Sequence, residues 1–249
     1  MAEYSQGFFC AALTFYNGAM SQINPASRTT TLIFDMDGTM IDSVDYHKQS
    51  WVEFCKRHGI SIDLDDLMAR TTGRTGTECM GQLFGRPMST AAALPLVHEK
   101  EVIYRELFAP HFKEVAGFKA FAAKARTMGL KIGVGTAGDK HNIAFAMQHL
   151  KMQHLPDVVV GGDQGFAGKP EPAIFLEAAR AMNARAEHCI VFEDAPFGIE
   201  AARRGGMRAV ALCTSHSAAQ LAGPHVVASV SDYNELLNSN FLESLTHVS

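Results

Sequence analysis

Asp35 and Asp37 stand two residues apart at the end of the apolar run "TLIF", with Gly38 and Thr39 directly behind them. An aspartate is ionised at neutral pH and attacks as a nucleophile with no base to activate it. Side chains two residues apart on an extended chain share a face, so Asp37 can protonate a leaving oxygen and later take a proton from water. Other groups suit the same reaction. Lys169, between Gly168 and Pro170, supplies a fixed positive charge for an anionic group, and Thr136 in "GVGTAG" supplies a hydroxyl donor among small residues. Glu193 and Asp194 close another apolar run. Attack of a carboxylate on a phosphate brings two anions together, which demands a divalent cation. Mg²⁺ suits an all-oxygen site that retains waters, and Asp35 and Asp194 would each give it a carboxylate. Gly38 is expected to let backbone N–H groups approach the phosphate.

These residues are far apart in the chain, so a fold has to gather them. Short β-branched runs lie at 31–34, 131–136, 157–162, 189–194 and 208–212, and amphipathic segments at 117–128, 141–151, 171–182 and 196–204 alternate with them. That alternation predicts an α/β fold with a parallel sheet covered on both faces. Ligands of such sheets bind at the carboxyl ends of the strands, which is where every residue above falls. From about 45 to 108 no strand pattern occurs and helical periodicity dominates, so residues 43–110 read as a helical insert. The core is then 25–42 and 111–249, behind an N-terminal extension over 1–24 in which Met20 reads like an ordinary enzyme start.

The bulk properties exclude several classes. The chain has 249 residues, 47% hydrophobic and 19% charged, enough for a large core with an insert. A net charge of −4 and a pI near 6.2 give no basic footprint for nucleic acid. The five cysteines are scattered with no CxxC pair, which suits neither a disulfide framework nor a zinc site and points to a reducing cytoplasm. The apolar stretch "GFFCAALTFYNGAM" is too short to span a bilayer and lacks a basic leader, so no membrane association is expected.

"DMDGT", "GVGTAG", "GKPEP" and "FEDAPFGIEAA" resemble, in order and spacing, the four motifs of the haloacid dehalogenase superfamily, over residues 30–245. The insert after the first motif and the Glu193–Asp194 pair resemble its β-phosphoglucomutase-like branch, which includes small sugar phosphatases. The resemblance implies a Rossmann-like core, a mobile C1-type helical cap, a phospho-aspartyl intermediate and Mg²⁺. Carried over residue by residue, Asp35 is the nucleophile and Asp37 the acid/base. Gly38, Thr136, Ala137 and Lys169 hold the phosphoryl group. Metal ligands would be Asp35, the Asp37 main-chain carbonyl and Asp194, with Glu193 supporting. In the cap, His47 would contact the substrate or the acid/base, and Arg74 in "TTGRTGTE" would bind a substrate oxygen or sit at a helix start.

The expected function is Mg²⁺-dependent hydrolysis of a small phosphorylated metabolite, a sugar phosphate by preference, by a monomer or weak dimer. Phosphoglucomutase is the alternative, but Gly76 stands where that branch needs a cap arginine, and Asp139, with Lys140 one later, where it needs a basic residue. Pyrophosphatase activity stays open. A catalytically silent binding protein is opposed by the complete set of Asp35, Asp37, Lys169 and Asp194. Trp51 reads as core packing, and the histidine-bearing "KMQHLPD" and "CTSHSAAQ" as solvated loops.

Overall fold

β1, Thr31–Phe34, is buried at every position and lies inside the sheet, paired parallel with β2 (Lys131–Gly135) on one side and β4 (Cys189–Glu193) on the other. Its side chains alternate between faces. Leu32 and Phe34 join a cluster with Phe118, Phe121 and Phe192, while Ile33 joins Ile174, Phe175 and Val191 on the opposite side. Helices cover both faces, so a strand here has no wet side and reads as a continuous apolar run. The computed structural model describes residues 29–246, and the expected N-terminal extension lies outside them.

β3 (Val158–Val160), β5 (Arg208–Leu212) and β6 (Val226–Val230) complete a six-stranded, all-parallel sheet of order β3-β2-β1-β4-β5-β6. This is the α/β, Rossmann-like architecture expected. β6 went unrecognised in the sequence because it is a sheet edge: only Val230 is buried, so its apolar signal is thin.

Between β1 and the core helix α5 (Phe118–Thr127) run four helices: α1 (Val44–Arg57), α2 (Leu64–Thr71), α3 (Gly76–Leu83) and α4 (Thr90–Phe108). They bury a cluster of their own from Trp51, Phe54, Leu67, Met80, Val97 and Ile103. α3 starts in a capping box of Thr75 and Glu78, and Ser89 caps α4. The remaining helices are α6 (Lys140–Leu150), α7 (Ala173–Ala181), α8 (Pro196–Arg204), α9 (Tyr233–Asn238) and α10 (Phe241–Thr246). Among the described residues, no helix is long and apolar enough to cross a membrane.

Candidate active site

Asp35 follows β1, Thr136 follows β2, Lys169 lies in the loop after β3, and Glu193 with Asp194 ends β4. Parallel strands put all these positions on one sheet edge. Together with Asp37, Ala137, His47 and Arg74 they line one cavity of about 910 Å³ between that edge and the four-helix insert.

Lys169 is the hub. Its ammonium, 1% exposed, lies 2.5 Å from Asp35 Oδ1 and 2.7 Å from Glu193 Oε1. The other Glu193 oxygen accepts the Ala195 N–H at 2.8 Å, so both oxygens of Glu193 are engaged and it holds the lysine. The third ammonium proton is available to an anion. Burial, reinforced by Glu193 and Asp37, pushes the Asp35 carboxyl up to about 7 against the pull of Lys169. Burial also raises Asp194 well above the carboxylate range, with Glu193 and Asp35 adding to it. The contacts raise Lys169 further above its ordinary value although burial opposes them. One ammonium thus faces three buried carboxylates, and that negative surplus is what a divalent cation would cancel.

The donor set fits a hard cation that keeps part of its water. Among the described residues, no three His, Cys, Asp or Glu side chains converge as a closed cage. The site offers two carboxylates, Asp35 and Asp194, on neighbouring loops, which suits Mg²⁺ better than Zn²⁺.

Asp37 is held apart from this group. Ser43 Oγ at 2.7 Å, His47 Nε2 at 3.1 Å and Tyr104 Oη at 3.2 Å all reach its Oδ1. Burial pushes its carboxyl up, but His47, Ser43 and Lys100 outweigh it and hold the group at about 2. The buried Lys100 Nζ lies 2.8 Å from His47 Nδ1. An ammonium only donates, so Nδ1 accepts and the ring proton sits on Nε2, facing Asp37. The ring also stacks on Tyr104, centroids 3.8 Å apart. Lys100 in turn bonds Glu101 at 3.0 Å, and Glu101 accepts from Asn142 of α6 at 2.7 Å. His47 thus contacts the aspartate of the expected pair, and its partners Lys100 and Tyr104 were not singled out from sequence. Spacing gave a signal: both lie on one helix, four residues apart.

The Thr136 hydroxyl accepts the Gly138 N–H at 3.0 Å, which leaves its proton for a ligand. The Gly38 N–H donates to the Ile41 carbonyl at 2.8 Å. Glycine is required there by a φ of +74° and by Asp194, whose Oδ2 would lie 2.2 Å from an added Cβ. Arg74 donates through Nε to the Arg70 carbonyl at 2.8 Å and lays its guanidinium 5.4 Å over the Phe197 ring, so it bridges the insert and α8. Beside it, the Lys169 N–H donates to the Gly73 carbonyl at 3.1 Å, docking the insert on the lysine loop. A correction concerns the first half of "CTSHSAAQ": its Ser215 donates to Asp194 Oδ2 and so reaches the site, while residues 217–220 are exposed as expected of a solvated loop. The usable signal was its position directly after β5, on the same sheet edge.

The family model for haloacid dehalogenase-like hydrolases matches residues 32–212. The chain is 32% identical over 202 residues to a validoxylamine A 7'-phosphate phosphatase of Streptomyces hygroscopicus subsp. limoneus, covering 78% of this chain and 91% of the relative. It is 31% identical over 185 residues to a fructose-1-phosphate phosphatase of Escherichia coli, covering 74% and 96%. Its fold matches a β-phosphoglucomutase from Clostridium difficile with a TM-score of 0.74 at 24% identity, over 87% of this chain and 97% of that one.

Proposed function

The chain belongs to the haloacid dehalogenase-like hydrolases and is a phosphomonoester hydrolase, and from that premise we propose that it is a Mg²⁺-dependent sugar phosphatase working through a phospho-aspartyl intermediate. The observation that carries this reading is the buried Asp35–Lys169–Glu193 cluster beside an Asp37 held separately by His47.

Asp35 attacks phosphorus and takes the phosphoryl group, while Lys169 and Thr136 hold its oxygens. Mg²⁺, held by Asp35, Asp194 and the Asp37 main-chain carbonyl, would offset the charge of the two anions. The leaving oxygen takes a proton from Asp37. In the second half Asp37 removes a proton from water, which attacks the aspartyl phosphate and regenerates Asp35. Since Asp37 rests ionised, its first proton comes with the substrate, whose phosphate carries one up to a pKa of about 6. The three contacts to Oδ1 hold the Asp37 carboxylate in one orientation.

The leaving group lies against α4. Thr90, Leu94, His98 and Glu101 border the cavity along twelve residues, eleven rises of 1.5 Å or about 16 Å. A sugar ring fits that length, and sugar phosphates are also what the relatives' names specify. The mutase alternative is disfavoured. A Cβ on Gly76 would sit 2.6 Å from Val97, leaving an arginine no room, and Asp139 is engaged as the α6 cap, accepting from His141 and Asn142.

Phosphate release from a panel of sugar phosphates, nucleotides and pyrophosphate, with Mg²⁺ and with EDTA, tests the reading. Turnover confined to sugar phosphates and lost in EDTA is expected. Conversion of β-glucose 1-phosphate to glucose 6-phosphate with a bisphosphate activator, in place of free phosphate, would reverse it.

A further inference from the structure

We propose that the loop after β5, through Thr214, Ser215 and His216, positions the two metal-bearing loops of the site. The inference rests on the Mg²⁺ reading above and adds a third supporting segment to it.

Two adjacent hydroxyls each grip a different loop. Thr214 Oγ1 donates to the Gly38 carbonyl at 2.5 Å, in the turn that follows Asp35 and Asp37. Ser215 Oγ reaches Asp194 Oδ2 and lies 2.9 Å from the Asp194 carbonyl. The two gripped loops are themselves in contact, because an added Cβ on Gly38 would lie 2.2 Å from Asp194 Oδ2. Nothing larger than hydrogen fits between them, so a shift of either loop moves the other.

The hydrogen-bond geometry favours one arrangement of the protons once Asp194 is a cation ligand. Ser215 has one hydroxyl proton and three polar neighbours: Asp194 O, Asp194 Oδ2 and His216 Nδ1 at 2.8 Å. His216 Nδ1 also lies 3.0 Å from the Asp194 carbonyl. With Asp194 ionised, as a cation ligand must be, an unprotonated Nδ1 would turn its lone pair to that carbonyl oxygen and one proton would have to serve three acceptors. With the proton on Nδ1, histidine donates to the carbonyl and to Ser215 Oγ, and serine donates to Oδ2. Each of the two protons then has an acceptor, and the Asp194 carbonyl takes its hydrogen bond from His216 rather than from Ser215. His216 orients the hydroxyl, and the hydroxyl fixes the Asp194 carboxylate with Oδ2 bound. Oδ1, at 3.3 Å from Thr39 Oγ1, is held only loosely and is the oxygen left for a cation.

Fixing a ligand before the metal arrives removes the ordering cost from metal binding, and loss of such a partner lowers metal affinity by about 10–100-fold. Thr214, Ser215 and His216 are positioning residues in this account, since they act through Asp194 and Gly38.

Mg²⁺ binding by isothermal titration calorimetry, with thermal melts in EDTA, tests the role. Ser215→Ala is expected to raise the Mg²⁺ dissociation constant about 10-fold or more with little change in the metal-free melting temperature. Ser215→Thr, which keeps the hydroxyl, should restore most of the affinity. His216→Phe, half-buried and further from the ligand, serves as the second variant and should show a smaller rise in the same constant. Wild-type-like affinity in folded Ser215→Ala would overturn the proposal while leaving the phosphatase reading intact. A wild-type chain that binds no Mg²⁺ would instead sink the metal reading and this inference with it.

Discussion

Lys169→Met keeps the length of the side chain and removes the charge that three buried carboxylates share. Lys169 is 1% exposed and lies within 2.7 Å of both Asp35 and Glu193. Removing one partner of a buried pair costs about 3–5 kcal/mol, a large part of the 5–15 kcal/mol typical of a folded domain. For a chain of this size that is a fall of roughly 10 °C in Tm. The carboxylates can lessen the loss by taking up protons, and this gives the prediction its sign. Burial, chiefly, pushes Asp35 from 3.8 up to about 7 in the folded state. A group raised in this way contributes stability that is fully present below 3.8 and is lost as the pH climbs through about 7. Lys169 pulls that value down, so in the variant Asp35 stays protonated to higher pH. The gap between wild type and variant should therefore be smallest near pH 5 and should widen above about pH 7. Urea denaturation in EDTA at about pH 5, 7 and 8.5 measures it. A gap equal at all three, or widest at the acid end, would refute the reasoning.

Asp35→Asn should leave the fold unchanged by circular dichroism and lower kcat by about 10⁴-fold or more, read as phosphate release, because no other group at the site can replace the nucleophile. Lys100→Met removes the donor that fixes the His47 tautomer; kcat for sugar phosphates should fall roughly 10²-fold with a smaller change in KM. Gly38→Ala is expected to cost about 1–2 kcal/mol for the left-handed backbone alone, seen in urea denaturation, and to weaken Mg²⁺ binding by displacing Asp194. Gly198→Ala places a Cβ 1.8 Å from Glu193 Oε1; a fall in both Tm and kcat is expected, and a change in neither would show that Glu193 has room to move.

Much of the site was legible because the chemistry and the strand ends coincide in sequence. Each of Asp35, Thr136 and Asp194 follows an apolar run that packs on both sheet faces, and Lys169 follows β3 by a loop. Composition and periodicity were enough to place them on one edge. The parts missed share one physical cause: their meaning depends on a partner distant in the chain. Lys100 looks like any helical lysine until α4 packs on α1 and its ammonium meets His47 Nδ1. Ser215 sits in a polar stretch whose composition marks a loop, and only the β4–β5 pairing brings it to Asp194. Gly38 is visible in the sequence as a glycine, but its φ and the encroaching carboxylate are properties of the folded turn.

The sequence alone determined the fold class and put Asp35, Asp37, Lys169 and Asp194 forward as candidates at the strand ends, because residue type and strand-end position are local properties. Tertiary structure alone decided which aspartate rests ionised, through burial and the hydrogen bonds of His47, Ser43 and Tyr104. It also decided that a Cβ on Gly76 would lie 2.6 Å from Val97 and that Ser215 of the loop after β5 bonds Asp194. Field, space and orientation come from groups that meet only when the chain is folded, and no local pattern encodes them.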